Sequence, residues 1–239
     1  MFEPVKAAFG EFMGGYYRSL APTTKPMHEY VNRGLDKSIA WAPSRMVDAI
    51  EDMLASWQRN DTDSAPTRPA KMPVVFVAMA RDLSAPSRDF TTQVADELSV
   101  IIPGDPKERH FKLRTLSGEI RTQVAFCAED EPTVKSLAAQ FGLWLDSPVN
   151  RRFYAGYTFA GIAKRWPVQI EDPGMVAMGI QTDSKNKNIL AVDVTLRVTV
   201  PLFSAPKDGE PNDGKGTGPD DPSGYPLVVA VDTYPGELA

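Results

Sequence analysis

The stretch ILAVDVTLRVTVPLF, Ile189 to Phe203, restricts the fold of this chain more than any other. Leu190, Val192, Val194, Leu196, Val198 and Val200 recur at every second position, with Ala191, Asp193, Thr195, Arg197 and Thr199 between them. Side chains alternate across an extended strand with a period of two, so this spacing predicts a long strand with one apolar face. The other face is free to meet water or a partner. Half-wet strands of this kind belong to antiparallel sheets.

The segments around it supply the rest of a sheet. MVAMGIQTD lies before SKNKN, which reads as the five-residue loop of a hairpin into the long strand. PVVFVAMAR is a short apolar run rich in β-branched residues, the pattern of a buried strand. SAPSRDF breaks it, and TTQVADELSVIIP then reads equally as a strand or as a helix-to-strand transition. HFKLRTLSGEIRTQVAFCA predicts a hairpin: Phe111 to Thr115, a turn at Ser117-Gly118, then Ile120 to Ala128 with Ile120, Thr122, Val124 and Phe126 on one face. FYAGYTFAGIAKRWPVQI, 153 to 170, alternates imperfectly and reads as one twisted or bulged strand with bends at Gly156 and Gly161.

One helix is signalled from both ends. Asp130 is placed to cap it, Glu131 and Pro132 suit a first turn, and Val134, Leu137, Ala138, Phe141 and Leu145 form one stripe before Pro148 ends it. Near the start of the chain, Val5, Phe9, Phe12, Met13 and Tyr16 fall at helical spacing. Gly10, Gly14 and Gly15 weaken a helix there by about 1 kcal/mol each. Such an aromatic, glycine-bearing segment docks either on its own body or, as an arm, on something else. After Pro22 and Pro26 a second helical stretch runs toward Pro43. A third comes next, capped by Ser44, with Met46, Val47, Ile50, Met53, Leu54 and Trp57 as its apolar stripe and Asp48, Glu51, Asp52 and Arg59 as its wet side.

The organisation expected from this pattern is α+β: a mostly antiparallel sheet with a packed helix. An N-terminal helical region covers 1–60, a core domain 73–203, and a Pro/Gly/Asp-rich extension 204–239. Between Ser204 and Gly224 the chain has four prolines, five glycines and four aspartates, too polar to order itself alone. PLVVAVDTY, Pro226 to Tyr234, then reads as a short strand. It adds either to a neighbouring sheet or to its own.

Chemistry is thinly represented. His28 and His110 have no second ligand at i+3 or i+4, and no HExxH, CxxC, P-loop or nucleophile-elbow pattern occurs. The acidic groups Asp48/Glu51/Asp52, Glu129/Asp130/Glu131 and Asp220/Asp221 fall on a wet helix side, a helix start and the extension, none of them a setting that shifts a carboxyl toward acid–base work. No catalytic, cofactor-binding or metal-ligating residue is therefore assigned, and the chain reads as no enzyme. Cys127, a lone cysteine in an apolar strand, reads as a small buried hydrophobe and rules out an intrachain disulfide. The opening MFEPVK lacks a secretory pattern, and no window has the roughly eighteen apolar residues of a membrane helix. These features predict assembly in a cytoplasm with no membrane partner. A formal charge of −5 opposes a dedicated nucleic-acid binder and suits a surface that nucleic acid slides past. Asn150-Arg151-Arg152-Phe153 and Lys164-Arg165-Trp166 could touch phosphate and base if they were neighbours, but solvated or interface arginines suit an acidic chain better.

RTQVAFCAEDEPTVKSLAAQFGLWL followed by the pair ending in LAVDVTLRVTVPLF resembles, in the order of its elements, the neck and tail-terminator proteins of contractile-tailed bacteriophages. The resemblance covers about residues 73 to 203. It implies a small subunit whose homo-oligomeric ring, a hexamer in that family, caps the tail tube and joins tail to head. Tube, sheath, collar and connector proteins would be its partners, the virion its location, and DNA only passing cargo. It implies no catalytic residues. Residues 1–60 and 204–239 exceed the compact family core, which also leaves a collar, gateway or connector role open. In a ring, Asp193, Thr195, Arg197 and Thr199 would face an interface or the lumen. Two other readings stand beside it: a monomeric binding or adaptor module, and a small cytoplasmic enzyme with an unrecognised site.

Overall fold

The computed structural model describes residues 2–42, 72–80, 94–171, 176–181, 187–207, 210, 213 and 215. Along the chain these form α1 (Glu3–Ser19), α2 (Lys25–Asn32), a short 3₁₀ turn (Leu35–Lys37), β1 (Ile39–Trp41), β2 (Val74–Met79), β3 (Leu98–Ile101), β4 (His110–Ala128), α3 (Glu131–Asp146), β5 (Arg152–Phe159), β6 (Ile162–Ile170), β7 (Met178–Ile180) and β8 (Asn188–Ser204). The strands hydrogen-bond in the order β1-β2-β4-β8-β6-β5, with β3 on β4 and β7 on β8. Only β1 with β2 is parallel among the pairs of known register; β2 with β4, β3 with β4, β6 with β8 and β7 with β8 are antiparallel. The fold is α+β, as the alternation predicts. The third helical stretch, the polar segment 60–71 and the strand-like Pro226–Tyr234 lie outside the described residues.

The chain divides into two compact units. The first comprises Met1–Arg88, Gly118–Ala155 and Pro167–Val198; the second comprises Asp89–Ser117, Gly156–Trp166 and Thr199–Ala239.

In the first unit, α1 is docked on its own body. Val5, Phe9, Phe12, Met13 and Tyr16 are all buried. Phe12 stacks on Phe153 at 5.3 Å and meets Phe141 edge-on, while Tyr16 sits edge-on to Phe141 at 5.2 Å. The Tyr16 hydroxyl donates to Leu137 O at 2.9 Å, joining α1 to α3. Burying such side chains contributes roughly 1.5–3 kcal/mol each, and each aromatic pair about 0.5–1.5 more, which outweighs the glycine cost. The arm reading of residues 2–20 is thereby corrected. Thr24 caps α2 by accepting from Met27 N, and Tyr17 reaches across to the carbonyls of Tyr30 and Val31. The second helical stretch stops at Asn32, short of Pro43, because Gly34 takes φ +96°, a conformation open chiefly to glycine. After the 3₁₀ turn Leu35–Lys37 the chain becomes extended and pairs Ile39 with Val75.

α3 forms where its signals place it. Asp130 Oδ1 accepts from Thr133 N at 2.8 Å, and Val134, Leu137, Ala138, Phe141 and Leu145 are buried. β2 is buried on both faces, and at the start of β8 Ile189 and Ala191 are buried while Leu190 between them is half-buried. Ile189 and Ala191 pack with Val74, Phe76, Ala78, Ala125 and Cys127. The wet face expected from Ala191 onward therefore begins only at Asp193, while Val192, Val194, Leu196, Val198 and Val200 keep the apolar face.

Two turn expectations change. His110–Ala128 is one unbroken strand, with no turn at Ser117-Gly118. Each of its halves already has an antiparallel partner, β3 along His110–Leu113 and β2 along Thr122–Cys127, so the halves do not pair with each other. Residues 153–170 are two strands. Ala160 (φ +50°) and Gly161 (φ +80°) make a two-residue turn of the kind that requires positive φ at both positions. β7 and β8 pair antiparallel as expected, with Ile180 opposite Ile189, but β7 is only Met178–Ile180 and Asn188, the last residue of the expected loop, already belongs to β8.

The second unit has an aromatic centre. Phe111 meets Phe159 edge-on at 5.4 Å, Phe159 lies on Phe203 at 5.3 Å, and Trp166 meets Phe203 edge-on. The loop from β3 to β4 is held by Asp105. Its buried carboxylate accepts from Arg109 N, Nε and Nη2 at 2.9–3.0 Å, and the guanidinium also lies over the Phe111 ring.

Candidate functional site

The polar face of β8 is the feature most open to a partner. In the first unit Asp193 is exposed and Thr195 and Arg197 are half-buried. Each is tied to a neighbouring strand. Gln123 Nε2 donates to Asp193 Oδ1 at 2.9 Å, and Thr122 Oγ1 donates to Val194 O at 2.9 Å. Arg197 pairs with Glu171 and stands opposite Gln169 in the β6–β8 register, while Glu171 N donates to Thr195 O at 3.1 Å. Burial pushes the Glu171 carboxyl up, and Glu119 beside it pushes in the same direction, against the pull of Arg197. The result is a polar surface whose side chains are held in place by one another. Thr199, the fourth residue of the expected face, belongs to the second unit, where it is half-buried.

The other chemistry-bearing residues are dispersed. Cys127 is buried among apolar side chains, and burial pushes its thiol up to about 12, so it is a core residue and no nucleophile at neutral pH. His28 is exposed on α2, and His110 Nδ1 lies 3.2 Å from Ser99 Oγ. Asp130 caps α3, and Glu131 pairs with Lys135 one turn on. Asp48, Glu51, Asp52, Asp220 and Asp221 lie outside the described residues. Among the described residues no group of His, Cys, Asp and Glu side chains is arranged to hold a metal ion, and no helix is long and apolar enough to cross a membrane. A cavity of about 250 Å³ in the first unit is lined by Lys25, Pro26, Glu29, Met72, Pro73, Glu129 and Asp130, a mixed set with no convergent donors.

In each basic cluster one cation is engaged within its own unit. Arg151 Nε donates to Leu145 O at 2.8 Å and its guanidinium faces Asp146, which closes the C-terminal end of α3. Lys164 Nζ donates to Pro103 O at 2.7 Å within the second unit. The aromatics beside them face inward, Phe153 onto Phe12 and Trp166 onto Phe203. The Asp105–Arg109 clamp went unread in the sequence. Its only signal was an acid and an arginine four residues apart in a loop with no helical pattern.

No family model matches this sequence, and no curated protein does. One solved structure aligns with 83% of this chain and 95% of its own at 14% identity and a TM-score of 0.37, a likeness too slight to carry an argument.

Proposed function

We propose that this chain is a structural subunit of a bacteriophage neck, forming a ring that caps the tail tube and joins the tail to the head. The observation that carries this reading is the seventeen-residue strand β8, whose polar side is braced by Gln123 and Glu171 into a preset contact surface. A subunit that works by assembly needs such surfaces and needs no reactive group. A closed ring is built from heterologous contacts, one patch of each copy meeting a different patch of the next. The polar side of β8 would be one such patch or would line the lumen. The order of elements gives further support, since a helix following a long strand and packed within the unit is the arrangement expected of terminator subunits. The net charge of −5 suits a channel that DNA traverses without adhering, because adhesion comes from cation–phosphate contacts.

Native mass spectrometry of the protein alone and with tail-tube subunits of the same virus tests this. A closed species of defined copy number, formed alone or on addition of tube subunits, supports the ring; a protein that stays monomeric in both mixtures contradicts it. Arg197→Glu, which inverts the charge facing Glu171 on the proposed patch, is expected to abolish the ring and leave the monomer folded.

A further inference from the structure

Among the described residues the second unit contains an edge strand paired on one side only, and Glu210, from the segment after β8, comes near the Lys112–Glu97 pair beside it. β3 hydrogen-bonds to β4 alone among the described residues, with Ser99 opposite Lys112 and Ile101 opposite His110. It carries apolar side chains on both of its faces: Leu98 is 48% exposed and Ile101, three residues on and so on the opposite face, is 49% exposed. An apolar edge strand with a row of free backbone groups is a template for adding another strand, and native proteins cover or blunt such edges.

Beyond β8, Glu210 meets Lys112 of β4, the strand that carries β3. Lys207 N donates to Glu210 Oε2, Glu210 N donates to Lys207 O, and Glu210 Oε1 lies 3.8 Å from Lys112 Nζ, the residue paired with Ser99 of β3. The same ammonium lies 3.9 Å from Glu97, immediately before β3. These exposed ion pairs contribute little energy. They matter because they fix where the tail leaves. From Lys215 to Pro226 is eleven residues, enough to span up to about 40 Å. The segment at the end of that tether, PLVVAVDTY, has apolar residues at both sets of alternating positions, Leu227, Val229 and Val231 in one and Val228 and Ala230 in the other. That two-sided pattern matches an edge that is apolar on both sides.

We propose that Pro226–Tyr234 adds as a strand to the outer edge of β3 in its own chain. The short tether decides between copies: it holds the segment near β3 at an effective concentration in the millimolar range, far above the concentration of neighbouring chains in dilute solution. Main-chain hydrogen bonds then supply the affinity, and the Leu98 and Ile101 surfaces supply the fit. This does not depend on the neck reading, and it gives the C-terminal extension a task in the isolated subunit: keeping β3 from pairing with other chains.

The test is disulfide trapping in the full chain at about 1 µM. Ile101→Cys is combined in turn with Val228→Cys, Val229→Cys and Val231→Cys, oxidised, and digested for peptide mass spectrometry. An intrachain link in at least one pair is expected. No link in any pair, or a link found only between chains, overturns the proposal. Independently, the amides of Leu98–Ile101 are expected to exchange with deuterium at least tenfold more slowly in the full chain than in a chain ending at Lys215. Equal rates overturn it. Val229→Asp combined with Val231→Asp in the full-length chain repeats that comparison without truncation and is expected to speed exchange to the same degree; unchanged rates there also count against the proposal.

Discussion

Gly15 on α1 lies against the indole of Trp144 on α3 so closely that a Cβ at Gly15 would stand 2.9 Å from Trp144 Cζ2. Real Cβ atoms do not approach that near, so a side chain here drives α1 and α3 apart. At Gly10 a Cβ would meet Trp41 at 3.7 Å, an ordinary contact. Gly15→Ala is therefore expected to lower stability by about 1–2 kcal/mol, overpacking outweighing the helix-propensity gain. Gly10→Ala is expected to raise it by roughly 0.5–1 kcal/mol. Urea unfolding midpoints separate the two, and a Gly15→Ala protein as stable as Gly10→Ala would contradict the close helix approach.

Two buried tyrosines make a second contrast. The Tyr16 hydroxyl has the Leu137 carbonyl as its acceptor, whereas the buried Tyr30 hydroxyl has no hydrogen-bond partner among the described residues. Removing one half of a buried hydrogen bond costs about 1 kcal/mol or more, while removing an unsatisfied buried hydroxyl costs nothing or stabilises. Tyr16→Phe should lose roughly 1 kcal/mol in thermal or urea unfolding, and Tyr30→Phe should be neutral or gain.

Asp105 gives the second unit an acid-sensitive loop. The Arg109 side chain, then backbone N–H groups of Arg109 and Lys107, hold its carboxyl below the usual aspartate range. A carboxyl depressed in the folded state contributes stability that is complete above the ordinary pKa near 4 and is lost as pH falls through the folded value. Asp105→Asn should cost roughly 2–3 kcal/mol at pH 7, less than a fully buried pair because Arg109 is partly solvated, and the difference from wild type should shrink below about pH 4. Unfolding measured across pH 2–7 checks this. A difference independent of pH would contradict the ion-pair account.

Val198 is 1% exposed on the apolar side of β8, opposite Val168. Val198→Asp places an unpaired charge in the core, at a cost of at least about 4 kcal/mol, and should leave the chain unfolded or aggregated by circular dichroism and light scattering. A folded Val198→Asp protein would mean that this face of β8 is not core.

Elements whose signals are local were legible in the sequence. α3 carries its own cap at Asp130, its own stripe and its own stop, and every one of those residues acts as its type predicts. The alternation of β8 was legible from Val192 to Val200 because one face there is buried and the other is wet. At Ile189 and Ala191 the face expected to be wet is covered by Val74, Phe76, Ala125 and Cys127, partners distant in sequence that alternation alone does not reveal. The straight run of β4 through Ser117-Gly118 was illegible for a different reason: a Ser-Gly pair permits a turn, and only the distant partners Val74–Met79 and Leu98–Ile101 make the extended form the better one. The docking of α1 likewise depends on Phe141, Trp144 and Phe153, far away in sequence, so residues 2–20 alone could not decide between arm and body. At the candidate site the polar residues of β8 were visible, but the partners that hold them, Gln123 and Glu171, come from distant parts of the sequence and were not.

The proposed function requires contacts of this protein with its own copies and with neighbouring virion parts. Electron microscopy of tail tubes polymerised with and without the purified protein addresses it most directly. The account predicts a ring of density at one end of each tube and a narrowed length distribution when the protein is present. Tubes of unchanged length with bare ends at saturating protein would contradict it.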